Sequence, residues 1–82
     1  MEFSKDEYVE VINYTSSSVI KSAMYHAGER ELILEFTSTG KCYRYENVDE
    51  SVVREMILAE HREGLGAFFN AEIRPKFRGF PY

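Results

Sequence analysis

Apolar and polar residues alternate through three consecutive segments of this chain. In "ELILEFTS", Leu32, Leu34 and Phe36 fall on one side while polar residues and one isoleucine fall on the other. The segments "VIKSAMYH" (residues 19–26) and "KCYRYENV" (residues 41–48) show the same period of two. Successive side chains of a β-strand point to opposite faces, so the pattern predicts three strands. Short glycine-containing turns between them predict an antiparallel meander.

An earlier segment, "VEVINYT" (residues 9–15), alternates less clearly because both of its sides are mixed. It is a candidate for a further strand, so the expected sheet has three or four strands. One face of so small a sheet needs a packed cover to persist in water.

The hydrophobic period changes to that of a helix in "VDESVVREMILAEHREG". Its apolar positions recur at helical spacing: Val52, Val53, Met56, Ile57 and Ala59. This spacing predicts an amphipathic helix that covers the sheet. Asp49 is the expected N-cap, and Gly64 and Gly66 are expected to end the helix. "AFFNAEIR" predicts a short C-terminal helix that Pro75 stops. The expected fold class is therefore α+β.

The composition of the chain indicates the number of domains and the cellular compartment. The chain has 82 residues, 44% of them hydrophobic, which is typical of one folded domain. Its single cysteine, Cys42, cannot form an intramolecular disulfide, and no signal-peptide pattern is present. No apolar run is long enough to span a membrane. We therefore expect a cytoplasmic protein without membrane contact.

Charge is distributed unevenly along the chain. The C-terminal segment "RPKFRGFPY" (residues 74–82) carries +3, whereas the whole chain carries −4, which leaves −7 on the first 73 residues. A short basic, aromatic segment on an acidic body is a candidate contact for phosphates, or simply a solvated end.

Three segments, in order, resemble the KTSC domain family, which is named for its occurrence at the C-terminus of some lysyl-tRNA synthetases. They are "SSSVIKSAMY", "LILEFTSTGKCYRYENV" with its YxY centre, and "GAFFNAEIRPKF". The resemblance covers roughly residues 15–80, so residues 15–82 are read as one KTSC-like domain and residues 1–14 as an N-terminal extension. It implies a small α+β fold that also occurs in stand-alone bacterial and phage proteins. It further implies no established catalytic activity and a suggested role in RNA binding.

The residues suited to nucleic-acid binding are aromatic side chains that stack on unpaired bases and cations that contact phosphates. The candidates are Lys41, Tyr43, Arg44, Tyr45, Arg74, Lys76, Phe77 and Arg78, with Phe80 and Tyr82 in the same C-terminal segment. The period of two also permits another interpretation, in which Tyr43 and Tyr45 pack in the core beside Leu32 and Leu34. Arg44 would then face outward near the acidic side chains of the neighbouring strand. Both interpretations remain open at this stage.

Other functional classes are less well supported by the residues. Catalysis by Cys42 would need a histidine and an orienting group beside it, and no motif indicates either. The two histidines and one cysteine lack metal-ligand spacing, so we expect no metal, no cofactor and no enzymatic activity. RNA or tRNA is the first expected partner. The alternative is a protein partner bound at a sheet edge or by the aromatic C-terminal segment, self-association included.

Overall fold

A five-stranded antiparallel sheet, in the sequential order β1-β2-β3-β4-β5, forms the body of the protein. The computed structural model describes residues 3–13 and 15–82. The strands are β1 Val9–Ile12, β2 Ile20–His26, β3 Glu31–Phe36, β4 Cys42–Tyr45 and β5 Gly79–Pro81. The α+β class and the antiparallel meander are confirmed, but the expected count of three or four strands is wrong because β5 was not predicted.

Helices cover one face of this sheet, as the hydrophobic pattern predicted. Helix α1 spans Glu50–Ala59, helix α2 spans Leu65–Phe68, and a π-helix continues directly over Phe69–Ile73. The chain leaves helical structure just before Pro75, which cannot continue a helical hydrogen-bond ladder. Within the described residues, no helix packs on the other face of the sheet, which is called the outer face below.

The hydrophobic core lies between the inner face of the sheet and the helices. Leu32 and Leu34 of β3 are fully buried there. Val53, Met56 and Ala59 of α1 lie opposite them and are equally inaccessible. Full burial of one leucine side chain contributes about 1.5–3 kcal/mol, so this shared face supplies much of the stability of so short a chain.

Helix α1 begins where the sequence predicts but ends earlier, at Ala59, five residues before Gly64. Asp49 occupies the N-cap position, yet its side chain makes no capping hydrogen bond and instead pairs with Arg30 at 3.1 Å. At the other end, Gly64 has a φ of 94° and donates its N–H to the carbonyl of Ala59 at 2.7 Å. This left-handed conformation suits glycine and reverses the chain. Gly66 does not end α1, because it lies within α2.

Residues that precede the segment of family resemblance are part of the same folded unit. Phe3 is buried and its ring meets that of Tyr25 edge-on at 5.5 Å. Strand β1 pairs with β2 and contains an irregularity between Glu10 and Ile12. Residues 1, 2 and 14 lie outside the described residues, including the tyrosine of the expected strand 9–15. Within residues 3–13 and 15–82, no helix has the length and apolarity needed to cross a membrane.

Candidate nucleic-acid interface

Strand β4 directs Tyr43 and Tyr45 to one face of the sheet and Arg44 to the other. The register pairs Tyr45 with Leu32 and Tyr43 with Leu34, both on the face under the helices. Tyr45 is only 6% exposed, and Tyr43 is half-buried. The packing interpretation of the two tyrosines is therefore confirmed. The prediction that Tyr45 stacks on a base is wrong, because its ring is not accessible to a base.

The two tyrosine rings pack edge-on against phenylalanines of the core. Tyr43 meets Phe36 with 5.8 Å between ring centroids, and Tyr45 meets Phe69 at 6.1 Å. Such T-shaped pairs contribute about 0.5–1.5 kcal/mol beyond their area of burial. Burial raises the pKa of the Tyr45 hydroxyl, with a further increase from Tyr43. Both rings therefore stabilise the domain, and only part of Tyr43 reaches the surface.

The C-terminal segment is an edge strand and not a free end. Strand β5 pairs antiparallel with β4 and sets Phe80 opposite Arg44 and Gly79 opposite Tyr45. A side chain at Gly79 would have its Cβ 2.7 Å from Cε2 of Tyr45. The buried tyrosine ring therefore lies directly under the glycine, and this close approach requires a residue without a Cβ.

Two arginines converge on one aromatic ring on the outer face. The guanidinium carbon of Arg44 lies 5.6 Å from the centroid of Phe80, and that of Arg78 lies 5.1 Å from the same centroid. Both distances are within the range of a cation–π interaction. Arg44, Arg78 and Phe80 are called the cationic cluster below. A half-buried aromatic ring with two cations beside it can stack on a base while its arginines contact phosphates.

A carboxylate anchors one side of the cationic cluster. Glu31 Oε2 lies 3.9 Å from Nε of Arg44, and Glu31 Oε1 accepts a hydrogen bond from the hydroxyl of Tyr8. This hydrogen bond, together with burial and the carboxylate charge, raises the pKa of Tyr8 to about 12. Nε of Arg44 is itself buried and has no hydrogen-bond partner within the described residues. The contact with Glu31 holds the stem of Arg44, while the side chain remains 37% exposed.

The remaining predicted site residues are not all brought to the cationic cluster. Lys41 is exposed just before β4, and Arg74 is exposed at the end of the π-helix. Lys76 forms a close ion pair with Glu72, with 2.7 Å between Nζ and Oε2. Phe77 is half-buried against the core, so it is a packing residue first. The charge of Lys76 is thus largely matched, whereas Lys41 and Arg74 make no ion pair within the described part of the chain.

Two shallow depressions flank β5 and connect several of these residues. One, of about 420 Å³, is lined by Glu46, Asn47, Lys76, Phe77, Arg78 and Phe80. The other, of about 460 Å³, is lined by Gly40, Lys41, Cys42, Tyr43, Pro81 and Tyr82. The predicted candidates therefore follow the β4–β5 side of the sheet, with lysines near both ends and the cationic cluster between them.

Acidic residues also lie on the outer face, from the border of the cationic cluster toward β1. The register puts Glu31 and Glu35 of β3 there, and Glu10 of β1 lies on the same face. Glu35 accepts a hydrogen bond from Ser22 at 2.9 Å. A polyanion is therefore favoured at the β4–β5 side and disfavoured toward β1.

Sequence patterns missed two features of this site. The pairing of Phe80 with Arg44 needed β5, and a three-residue strand containing glycine and proline has no recognisable period. Tyr8 precedes β1 in a polar segment, and nothing in the sequence indicated its contact with Glu31. Phe80 did carry one signal, because it alternates with arginine in "FRGF".

Comparisons with known proteins agree with this architecture. The family model of the KTSC domain matches residues 16–77. The crystal structure of a KTSC domain protein from Yersinia pestis is similar, with a TM-score of 0.76 and 26% sequence identity. The alignment covers 93% of this chain and 99% of that one. No curated protein matches the sequence.

Proposed function

This chain belongs to the KTSC domain family, and we propose that it binds single-stranded RNA, such as the unpaired segments of tRNA, along the β4–β5 side of its sheet. The observation that carries the proposal is the cationic cluster, in which the guanidinium groups of Arg44 and Arg78 lie 5.6 and 5.1 Å from the ring centre of Phe80. Stacking of one base on an aromatic side chain contributes about 1–3 kcal/mol. Arginines beside the ring can contact the phosphates of the same nucleotide.

The position of the cluster favours a single strand over a duplex. Phe80 is partly exposed at the border of the sheet, where an unstacked base can reach its ring, whereas the bases of a helix are already stacked on each other. Lys41 is exposed, makes no ion pair within the described residues and lines a depression beside β5, so it supplies a further cation on this side. Arg74 is likewise exposed, at the end of the π-helix. The acidic part of the outer face would confine the RNA to β4 and β5.

The proposal is one of binding without catalysis. Cys42 pairs with Glu35, and His26 pairs with Glu31, so the thiol and the imidazole lie on strands to either side of β3. Glu31 and Glu35 are four positions apart on β3, which corresponds to about 13 Å along the strand. A nucleophile and its base need hydrogen-bond contact, which this separation excludes for that pair.

Strand addition by a protein partner at the β5 edge is less well supported than RNA binding. Tyr82 donates its N–H to the carbonyl of Cys42 at 3.0 Å, which marks a hydrogen-bonded pair. Hydrogen-bonded and non-hydrogen-bonded pairs alternate along an antiparallel ladder. The neighbouring pair, Pro81 with Tyr43, is therefore non-hydrogen-bonded, and the backbone nitrogen of Pro81 faces the open edge. Proline has no N–H to donate, which weakens this edge as a template for another strand.

The test is an NMR titration of isotopically labelled protein with tRNA and with a short single-stranded RNA, each at low and at physiological salt. We expect shifts of residues in β4 and β5 and weaker binding at the higher salt. Replacement of Phe80 by leucine keeps an apolar side chain on β5 but removes the stacking face. It should weaken binding by about 1–3 kcal/mol.

Charge reversal provides the matched comparison. Arg78→Glu and Lys41→Glu should each weaken binding, and the loss of a phosphate contact should reduce the salt slope by about 0.7. Lys5→Glu makes the same charge change beside the turn between β2 and β3, away from β5, and should leave affinity nearly unchanged. An equal loss in all three variants, or no shift with either RNA at either salt, would overturn the proposal. A partner retained from extract after nuclease treatment, without RNA shifts, would instead favour the protein-binding alternative.

A further inference from the structure

A further cavity lies on the helical side of the domain and shares Lys76 and Phe77 with one of the depressions beside β5. It is a groove of about 600 Å³ between α1 and the segment that runs from α2 to Phe77, and is called the helix groove below. Val52, Phe68 and Phe77 form its apolar floor. The volume is within the range of about 300–1,000 Å³ that is typical of sites for small ligands. Of these three floor residues, only Phe77 also lines a depression beside β5.

The rim of the helix groove is charged and, on balance, acidic. Three carboxylates face two cations there, which leaves a net charge of −1. Glu72 is matched by Lys76 at 2.7 Å. Glu55 and Glu63 make no ion pair within the described residues, and the one other cation on the rim is the exposed Arg62. The unmatched charge at the groove is therefore negative.

We propose that the helix groove binds a small organic cation, an amine attached to an aromatic or alkyl body. The apolar part would cover the floor, and the ammonium group would lie near the carboxylates of Glu55 and Glu63. The half-buried aromatic ring of Phe77 adds a surface that favours a cation. Charge complementarity selects this ligand over an anion of the same shape, which the two unmatched carboxylates repel. The negative charge of its rim also distinguishes the helix groove from the proposed RNA interface, which is positively charged.

A series of three ligands that share one apolar body tests the charge selection. The probes are phenylbutylamine, phenylbutanol and phenylbutyrate, each titrated into the whole protein and followed by NMR. The amine is expected to bind about three- to fivefold more tightly than the alcohol, and phenylbutyrate most weakly. Shifts should fall on the floor residues Val52 and Phe68, and those of Arg44 and Phe80 should not move. Raising the salt concentration should reduce the preference for the amine.

Replacing the acidic and the basic residue of the exposed rim should change the affinity for the amine in opposite directions. Glu63→Gln should lower the affinity for the amine and leave that for the alcohol unchanged. Arg62→Gln should raise the affinity for the amine and lower that for phenylbutyrate. Glu29→Gln, at an exposed position in the turn between β2 and β3, removes the same charge far from the groove and serves as the control. Absence of binding, equal binding of the three probes, or shifts centred on β4 and β5 would each overturn the inference, whatever the outcome with RNA.

Discussion

Replacement of Gly79 by alanine tests whether the packing of β5 on the buried ring of Tyr45 holds the functional side of the sheet together. The added Cβ would lie 2.7 Å from Cε2, 2.9 Å from Cζ and 3.1 Å from Oη of Tyr45. A Cβ atom essentially never lies within 3.0 Å of such a neighbour, and two of these three distances are shorter, so the ring or the strand has to move. The ring has little room, because it is 6% exposed and packs on Phe69.

The expected cost follows from this crowding. One extra methyl group in a packed site typically destabilises a protein by about 1–3 kcal/mol. A domain of this size has a free energy of unfolding on the order of 3–5 kcal/mol, so the loss is a large share of the total. Urea denaturation measures it directly. With a slope of about 1 kcal/mol per M, the midpoint should fall by about 1–3 M.

A double-mutant cycle shows whether Tyr45 is the cause. Tyr45→Leu removes the ring that Gly79→Ala would meet, so the alanine should cost much less in that background. NMR of the single variant should also show changed environments for Arg44 and Phe80, because both depend on the pairing of β5. A cost of Gly79→Ala below about 0.5 kcal/mol, or equal costs in the two backgrounds, would refute this account of β5.

Two further predictions concern tyrosine hydroxyl groups. Tyr25 is fully buried and donates its hydroxyl to the carbonyl of Val48, so Tyr25→Phe should cost about 1–3 kcal/mol in urea denaturation by leaving that carbonyl without a partner. Tyr45→Phe is the matched control and should be nearly neutral, since no hydrogen bond of its hydroxyl occurs within the described residues; equal costs would contradict the assignment. The raised pKa of Tyr8, about 12 against 10 in the unfolded chain, stabilises the folded state below pH 10, and this contribution is lost as the pH rises from 10 to 12. Tyr8→Phe should remove that part of the pH dependence, and an unchanged alkaline profile would show that its hydrogen bond to Glu31 contributes nothing.

Local patterns in the sequence were sufficient for the parts of the fold that have a clear period. The alternation in β3 and β4 predicted that Tyr43 and Tyr45 share one face and that Arg44 lies on the opposite one, but it left open which of the two faces is buried. This follows because the direction of a side chain along a strand depends only on its position. Helix α1 was predicted for a similar reason, since its buried residues recur at the spacing of one helical face.

The candidate site was predicted only in part, because its members come together through pairing between distant segments. Arg44 and Phe80 are far apart in the chain, and their contact exists because β5 returns to the edge of β4. The C-terminal segment has too few residues and too much glycine and proline to reveal a strand period. Its basic and aromatic composition predicted a binding function, which stays a prediction, and gave no indication that Lys76 would be matched by Glu72.

The positions and the period of the apolar residues were enough to predict the α+β class, the family resemblance and the division of the β4 side chains between two faces. Three features required the tertiary structure: two arginines meet at Phe80, Glu31 contacts both Arg44 and Tyr8, and a groove remains beside α1. The physical reason is the separation along the chain over which each interaction acts. Periodicity and capping act over a few neighbouring residues, whereas electrostatic and aromatic contacts depend on which strands lie next to each other.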